Sequence, residues 1–217
     1  MSRPVRLLPS GPAALLVEVD GLGDVIALHD ALAADAPTGL VELVPAARTL
    51  LVAVDPAVLP LETAAGWVRR VASEPVARSS GSADGRTPAP REVLVEVDYR
   101  GDDLADTADV LGVSPEHLVA RHADAAWRVA FIGFAPGFAY LVADDWPFDV
   151  PRLDVARTRV PRGAIGLAAG FSGAYPRESP GGWRLVGRTG AALWDPDADP
   201  PALLAPGRTV RFRAVTP

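Results

Sequence analysis

Two stretches decide how this chain is read: residues 131–141, FIGFAPGFAYL, and residues 160–189, VPRGAIGLAAGFSGAYPRESPGGWRLVGRT. In the first, Gly133, Pro136 and Gly137 fix a bend, and Phe134, Phe138 and Tyr140 project between them. Around both, short apolar runs at 127–132, 164–168, 183–186, 191–194 and 210–212 alternate with glycine and proline. That rhythm predicts a mostly β barrel over residues 92–217.

Toward the N-terminus, residues 14–19 alternate like a strand. Residues 23–34 place Val25, Ile26, Leu28 and Leu32 at helical spacing. Two β-rich runs, 39–44 and 49–54, are joined by Pro45-Ala46-Ala47-Arg48, and 59–71 reads as a second helix. The order is β-α-β-β-α over a small domain, residues 1–75. One further strand makes it a split βαβ, ferredoxin-like unit, and residues 93–97 either supply that strand or open the next domain. The fold class expected is therefore α+β. Between the domains, residues 76–91 belong to a stretch rich in Ser, Gly, Pro and charge, read as an exposed linker.

Past the linker, Asp102 or Asp103 is placed to cap a short helix ending near Gly112, and Ser114-Pro115 opens another. The pair has the outline of a helix-turn-helix. Its second helix, however, carries Glu116, His117 and a single Arg121, too few base and phosphate contacts for groove reading, so it is read as a packing hairpin.

Composition narrows the chemistry. With 49% apolar residues the chain can bury a core, and with no cysteine it has no disulfide, thiolate nucleophile or Cys-ligated zinc, which fits a cytoplasmic setting. No apolar run approaches the roughly 20 residues of a membrane span. The opening MSRPVRLLPSG lacks the apolar core of a secretory signal. A net charge of −6 and a pI near 5.1 oppose nonspecific nucleic-acid binding. All 21 basic residues are arginine, which excludes a P-loop lysine, a Schiff-base amine and a biotin-bearing lysine. The three histidines lack the short spacing of zinc motifs, so no structural metal is expected.

Arginine is thus the only cation available to grip an anion. Arg188, amid the glycine motif, leads the candidates, followed by Arg159, Arg162 and Arg152. Ser179-Pro180-Gly181-Gly182 is read as a concave turn presenting backbone N–H groups to an anion. His122, near the C-terminal end of its helix, is the general acid/base candidate, with the helix dipole favouring its charged form. His29 and His117 read as surface residues. Phe134, Phe138, Tyr140, Tyr175 and Trp183 are positioned to wall a small pocket or an interface.

Taken together, the motifs resemble one family. Val160-Pro161-Arg162-Gly163, Ser172-Gly173-Ala174-Tyr175-Pro176 and Ser179-Pro180-Gly181-Gly182-Trp183-Arg184 through Arg188-Thr189 are similar to those of the B-type subunit of 5-oxoprolinase, also called allophanate hydrolase subunit 1, a family that includes a KipI-type kinase inhibitor. The GF-PGF-YL pattern, Ser114-Pro115-Glu116 and Ala14-Leu15-Leu16-Val17-Glu18 extend the likeness over almost the whole chain. The resemblance implies a cyclophilin-like barrel and a C-type partner (allophanate hydrolase subunit 2-like), with an A-type subunit completing the enzyme. It also implies ATP, with magnesium, driving the opening of 5-oxoproline to glutamate in the assembly. His122 and Arg188 are then the catalytic candidates. Arg159, Arg162, Phe134, Phe138, Tyr140, Ser172, Tyr175, Ser179, Gly181, Gly182 and Trp183 are the substrate-binding ones. The chain departs from the family pattern at Ala139, where proline is usual, at Phe171-Ser172, where a Gln-Thr pair is usual, and at Arg162, where a small residue is usual. Two alternative readings are a KipI-type inhibitor of a histidine kinase and subunit 1 of a urea- or allophanate-hydrolysing system.

Overall fold

Alternation along residues 14–18 and 49–54 sends Leu15, Val17, Leu50, Val52 and Val54 to one face, all of them buried. That face meets two helices. The computed structural model describes residues 5–74 and 92–215, and the chain divides into two compact units, residues 1–86 and 87–217. The predicted linker, 76–91, lies outside the described residues.

In the first unit the elements are β1 (Arg6–Pro9), β2 (Ala14–Glu18), α1 (Leu22–Ala34), β3 (Leu40–Pro45), β4 (Thr49–Val54) and α2 (Leu61–Ser73). The sheet is antiparallel in the order β1-β2-β4-β3. Val25, Leu28 and Leu32 of α1 and Ala64, Val68 and Val71 of α2 complete its core. The βαββαβ order of a ferredoxin-like unit is not the order found, because the fourth strand, β1, precedes β2. At four residues, β1 is too short to show an alternation in sequence.

The second unit begins with β5 (Val93–Val97), α3 (Leu104–Leu111) and α4 (Pro115–Asp124). It continues through β6 (Trp127–Ile132), β7 (Ala139–Val142), β8 (Arg157–Val160), β9 (Ala164–Ala168) and β10 (Phe171–Ala174). The last strands are β11 (Ser179–Gly181), β12 (Arg184–Arg188) and β13 (Thr209–Ala214). Seven strands form one sheet in the order β12-β9-β10-β7-β6-β13-β5. Its two edges meet where Asp98 and Arg188 exchange backbone hydrogen bonds, each at 2.9 Å, so the sheet curls into a nearly closed barrel. The interior holds Val95, Trp127, Leu141, Ile165, Leu167 and Phe212. The helical hairpin forms as read: Gly112 closes α3 in the left-handed conformation (φ 69°), and Ser114 Oγ accepts the His117 N–H at 3.2 Å.

Two local readings are corrected. Residues 191–194 form no strand; Trp194 makes only an isolated bridge to Ala202. Asp103 stands at the N-cap of α3 without capping it, its carboxylate being drawn instead to Arg157 and the Leu185 N–H.

Candidate functional site

Strand alternation divides the predicted site residues among three places. Along β9, Ile165 and Leu167 face the barrel interior, while Ala164 and Ala168 join a separate cluster on the outer face with Phe138, Tyr175 and Trp183. Along β10, Ser172 turns inward and Phe171 outward.

His122 and Ser172 lie inside. His122 is 1% exposed, stacked on Phe212 at a centroid distance of 4.5 Å. Its Nε2 is 2.8 Å from Ser172 Oγ and its Nδ1 is 2.6 Å from Tyr99 Oη. A neutral imidazole donates from one nitrogen and accepts at the other, and the two hydroxyls satisfy both. Burial pushes the His122 pKa down to about 3, so the imidazole is neutral and the charged form expected from the helix dipole is not the one present. Removal from water outweighs the dipole. Ser172, fully buried against His122, has no surface toward a solvent-borne substrate.

Arg188 lies at the seam. Its side chain is exposed and lines a cavity of about 330 Å³ with Asp98, Arg100, Asp102, Pro161 and Gly187. Arg100 first, and Arg188 after it, hold the Asp98 carboxyl below its ordinary range. The lining is therefore mixed in charge, two guanidinium groups facing two carboxylates. Gly187 is required here, since a Cβ on it would stand 2.7 Å from Val97 Cγ1.

The aromatic residues lie outside. Phe138 is the hub, with edge-to-face contacts to Phe134, Tyr140, Tyr175 and Trp183 at centroid distances of 5.4, 5.2, 5.0 and 5.4 Å. Glycines form the floor: a Cβ at Gly173 would meet Phe138 Cζ at 3.1 Å and Trp183 Cζ3 at 3.0 Å. The bend read at residues 133–138 turns Phe134 into the left-handed region (φ 68°), costly for a bulky side chain, and leaves its ring 59% exposed. Phe171, at the departure from the family pattern, packs edge-on against Tyr140 at 5.6 Å.

The anion-binding turn expected at residues 179–182 is not formed. Ser179–Gly181 is a strand paired with β8, Ser179 opposite Val160 and Gly181 opposite Arg157, and the Gly182 carbonyl accepts the Leu153 N–H at 2.9 Å. Paired backbone amides are not free to cradle a phosphate. Arg159 is spent on Glu178 at 2.6 Å across an exposed pair, and Arg162 projects from the turn closed by Gly163 (φ 80°). The sequence reading missed Arg157, whose Nη2 donates to Asp103 Oδ1 at 2.6 Å, and Tyr99. Alternation along residues 157–160 is the one available signal for β8, and it is four residues long.

Among the described residues no three His, Cys, Asp or Glu side chains gather to hold a metal, and no helix is long and apolar enough to cross a membrane.

A barrel-like sheet with an outer aromatic face, following a small α/β unit, defines the class of protein, and its relatives give that class a name. The chain belongs to the family described as carboxyltransferase domain, subdomain C and D, whose model matches residues 5–204. It is similar to the B-type subunit of 5-oxoprolinase from Escherichia coli O157:H7, 40% identical over 128 residues, 58% of this chain and 59% of that one. The Bacillus subtilis protein of the same name is 38% identical over 125 residues, 56% of this chain and 52% of that one. These alignments span between half and three-fifths of the curated relatives. Among solved structures, TTHA0988 is 31% identical with a TM-score of 0.73, over 94% of this chain and 40% of that one. The uncharacterised PH0987 of Pyrococcus horikoshii is 33% identical with a TM-score of 0.55, over 97% of both chains. Kluyveromyces lactis urea carboxylase, at 19% identity and a TM-score of 0.75 over 99% of this chain and 22% of that one, shares the fold.

Proposed function

We propose that this chain is the B-type subunit of a cytoplasmic, ATP-dependent 5-oxoprolinase, working with a C-type and an A-type subunit to open 5-oxoproline to L-glutamate. The observation that carries the reading is the 38–40% identity to three proteins that bear the name of that same 5-oxoprolinase component. Its second unit is read as a cyclophilin-like barrel with the substrate on the outer aromatic face. There the exposed ring of Phe134 and the half-buried Tyr140, backed by the buried Phe138 and Trp183, offer ring edges and faces to a small, flat, five-membered lactam.

A lactam amide is a poor electrophile, and ATP would supply a phosphoryl group to the amide oxygen so that water attacks the activated carbonyl carbon and phosphate leaves. The residues of this chain do not fit a triphosphate: the Ser179–Gly181 amides are engaged in a strand pair, and the cavity at Arg188 carries Asp98 and Asp102 beside its arginines. Nucleotide and magnesium therefore fall to the partner subunits. What this chain contributes is a shaped aromatic wall and exclusion of water from one side of the ring, while the exposed Arg188, apart from that wall at the seam, is assigned to stabilising charge on reactants that the assembled complex brings to it. His122, held inside the barrel, acts by positioning Ser172 and Tyr99.

The test is ATP-dependent glutamate release from 5-oxoproline, with this chain alone and with co-expressed C-type and A-type subunits. Release only from the mixture is expected; a stable complex without release would sink the reading. Arg188→Ala is expected to abolish turnover in the complex while the chain stays folded, and unchanged turnover removes Arg188 from the site.

A further inference from the structure

Beneath the outer aromatic face lie two hydrogen-bonding groups without partners among the described residues. Tyr175 is 1% exposed, yet its hydroxyl engages no described residue. Arg157 Nη1 is buried and likewise has no partner, although Nη2 of the same guanidinium is anchored on Asp103. A buried polar group left unpaired is rare and costs about 1–3 kcal/mol as a general matter, so Arg157 Nη1 calls for a cause, and the unpartnered Tyr175 hydroxyl beside it points to the same one.

The β8–β11 register places them on one side of the ribbon. Gly181 lies opposite Arg157, and a Cβ on Gly181 would stand 2.4 Å from Tyr175 Oη. Side chains directly opposite in an antiparallel pair share a face. The phenol therefore occupies the space beside the root of Arg157, which glycine alone leaves open. Asp103, 5% exposed and also taking the Leu185 N–H at 2.7 Å, holds the guanidinium in place. At the rim, Arg152 is exposed, has no ion-pair partner among the described residues, and is within electrostatic reach of both Tyr140 and Tyr175.

We infer that Tyr175 Oη and Arg157 Nη1, with Arg152 at the rim, form a subsite for one compact oxyanion, a carboxylate or a phosphoryl group, carried by the small ligand of the aromatic face. Asp103 balances the charge of Arg157, so Arg157 and Tyr175 supply directed donors and Arg152 supplies the uncompensated charge. Burial, the larger effect, and the nearby Tyr140 raise the Tyr175 pKa to about 12 against the opposing pull of Arg152 and Arg157, so the phenol keeps its proton and donates at neutral pH. The inference deepens the oxoprolinase reading and rests on it for the choice of probe.

Calorimetric titration of the full chain with 5-oxoproline, with its neutral carboxamide and with inorganic phosphate tests it. The carboxylate is expected to bind at least about 10-fold more tightly than the carboxamide, and Tyr175→Phe, which removes one oxygen, to weaken it about 10-fold with the fold intact. Arg157→Lys keeps a charge toward Asp103 but loses Nη1, and is expected to weaken binding similarly. Phosphate binding with the same Tyr175 dependence, in place of carboxylate binding, keeps the subsite and assigns its anion to a phosphoryl group. Equal affinity for carboxylate and carboxamide, no binding of any probe, or wild-type affinity in Tyr175→Phe overturns it. An assembly that releases no glutamate while Tyr175-dependent carboxylate binding persists defeats the activity reading and leaves the subsite standing.

Discussion

The barrel interior and its outer face use the same kinds of residue in opposite ways. Inside, Tyr99, His122 and Ser172 close a chain of hydrogen bonds in which both imidazole nitrogens are used, and Trp127 Nε1 secures the His122 carbonyl at 2.9 Å. Outside, Tyr175 is buried to the same degree, but its hydroxyl has no partner among the described residues, and Phe134 is held in strained backbone with its ring in solvent. A closed network stabilises a fold; an open one holds capacity in reserve for something that arrives. Burial alone therefore does not separate structural from functional polar residues here, and hydrogen-bond satisfaction does so for the hydroxyls and the imidazole but not for Trp146 Nε1, which is buried in the interior cluster without a partner among the described residues.

His122→Ala tests this contrast hardest. It leaves Tyr99 and Ser172 unpaired around a cavity and is expected to cost about 3–5 kcal/mol in urea unfolding. A cost under about 1 kcal/mol would mean the interior network is not structural.

Acid should expose the same residue. Above pH 6.5 the imidazole is neutral in both folded and unfolded chains. Below it the unfolded chain takes up a proton that the folded one, with its pKa near 3, refuses, so stability falls as pH drops from 6.5 toward 3. By pH 5 the loss from this group is about 2 kcal/mol. The stability gap between the wild-type chain and His122→Ala should narrow over that window, and a constant gap would argue against a neutral buried His122.

On the outer face, Gly181→Ala sets a methyl against the Tyr175 hydroxyl and is expected to cost about 1–3 kcal/mol, read by thermal unfolding. Tyr175→Phe should be milder still. With no hydrogen bond lost inside the chain, stability should change by less than about 1 kcal/mol, and a larger loss would make the phenol a structural group like those inside the barrel.

How legible each region is follows from the range of its signals. Thr49–Val54, Val93–Val97, Trp127–Ile132 and Ala164–Ala168 fall where alternation and apolar runs put them, and Gly112 and Ser114 end and begin helices as their local chemistry requires. The aromatic members of the candidate site, Phe134, Phe138, Tyr140, Tyr175 and Trp183, do come together, because glycines spaced along neighbouring strands leave room for rings. The short strands Arg6–Pro9 and Ser179–Gly181 are not legible, since neither carries a full period and each is defined by its partner. Nearness in sequence groups Ser172 with Tyr175; the pleat sends Ser172 inward.

Composition and patterns a few residues long suffice for the small α/β region followed by a β-rich one, for the family, for the absence of lysine and cysteine chemistry, and for the glycine-aromatic motif. Which polar groups are spent and which remain free is settled in three dimensions. His122 meets Ser172 across 50 positions and Arg157 meets Asp103 across 54, while the barrel edges meet where Asp98 reaches Arg188 and, just beyond β5, where the Gly101 and Asp103 N–H groups reach the Val186 and Leu185 carbonyls. Whether a donor is satisfied depends on what the sheet register and barrel closure bring against it, and that is set by the packing of the whole unit rather than by the residue's neighbours in the chain.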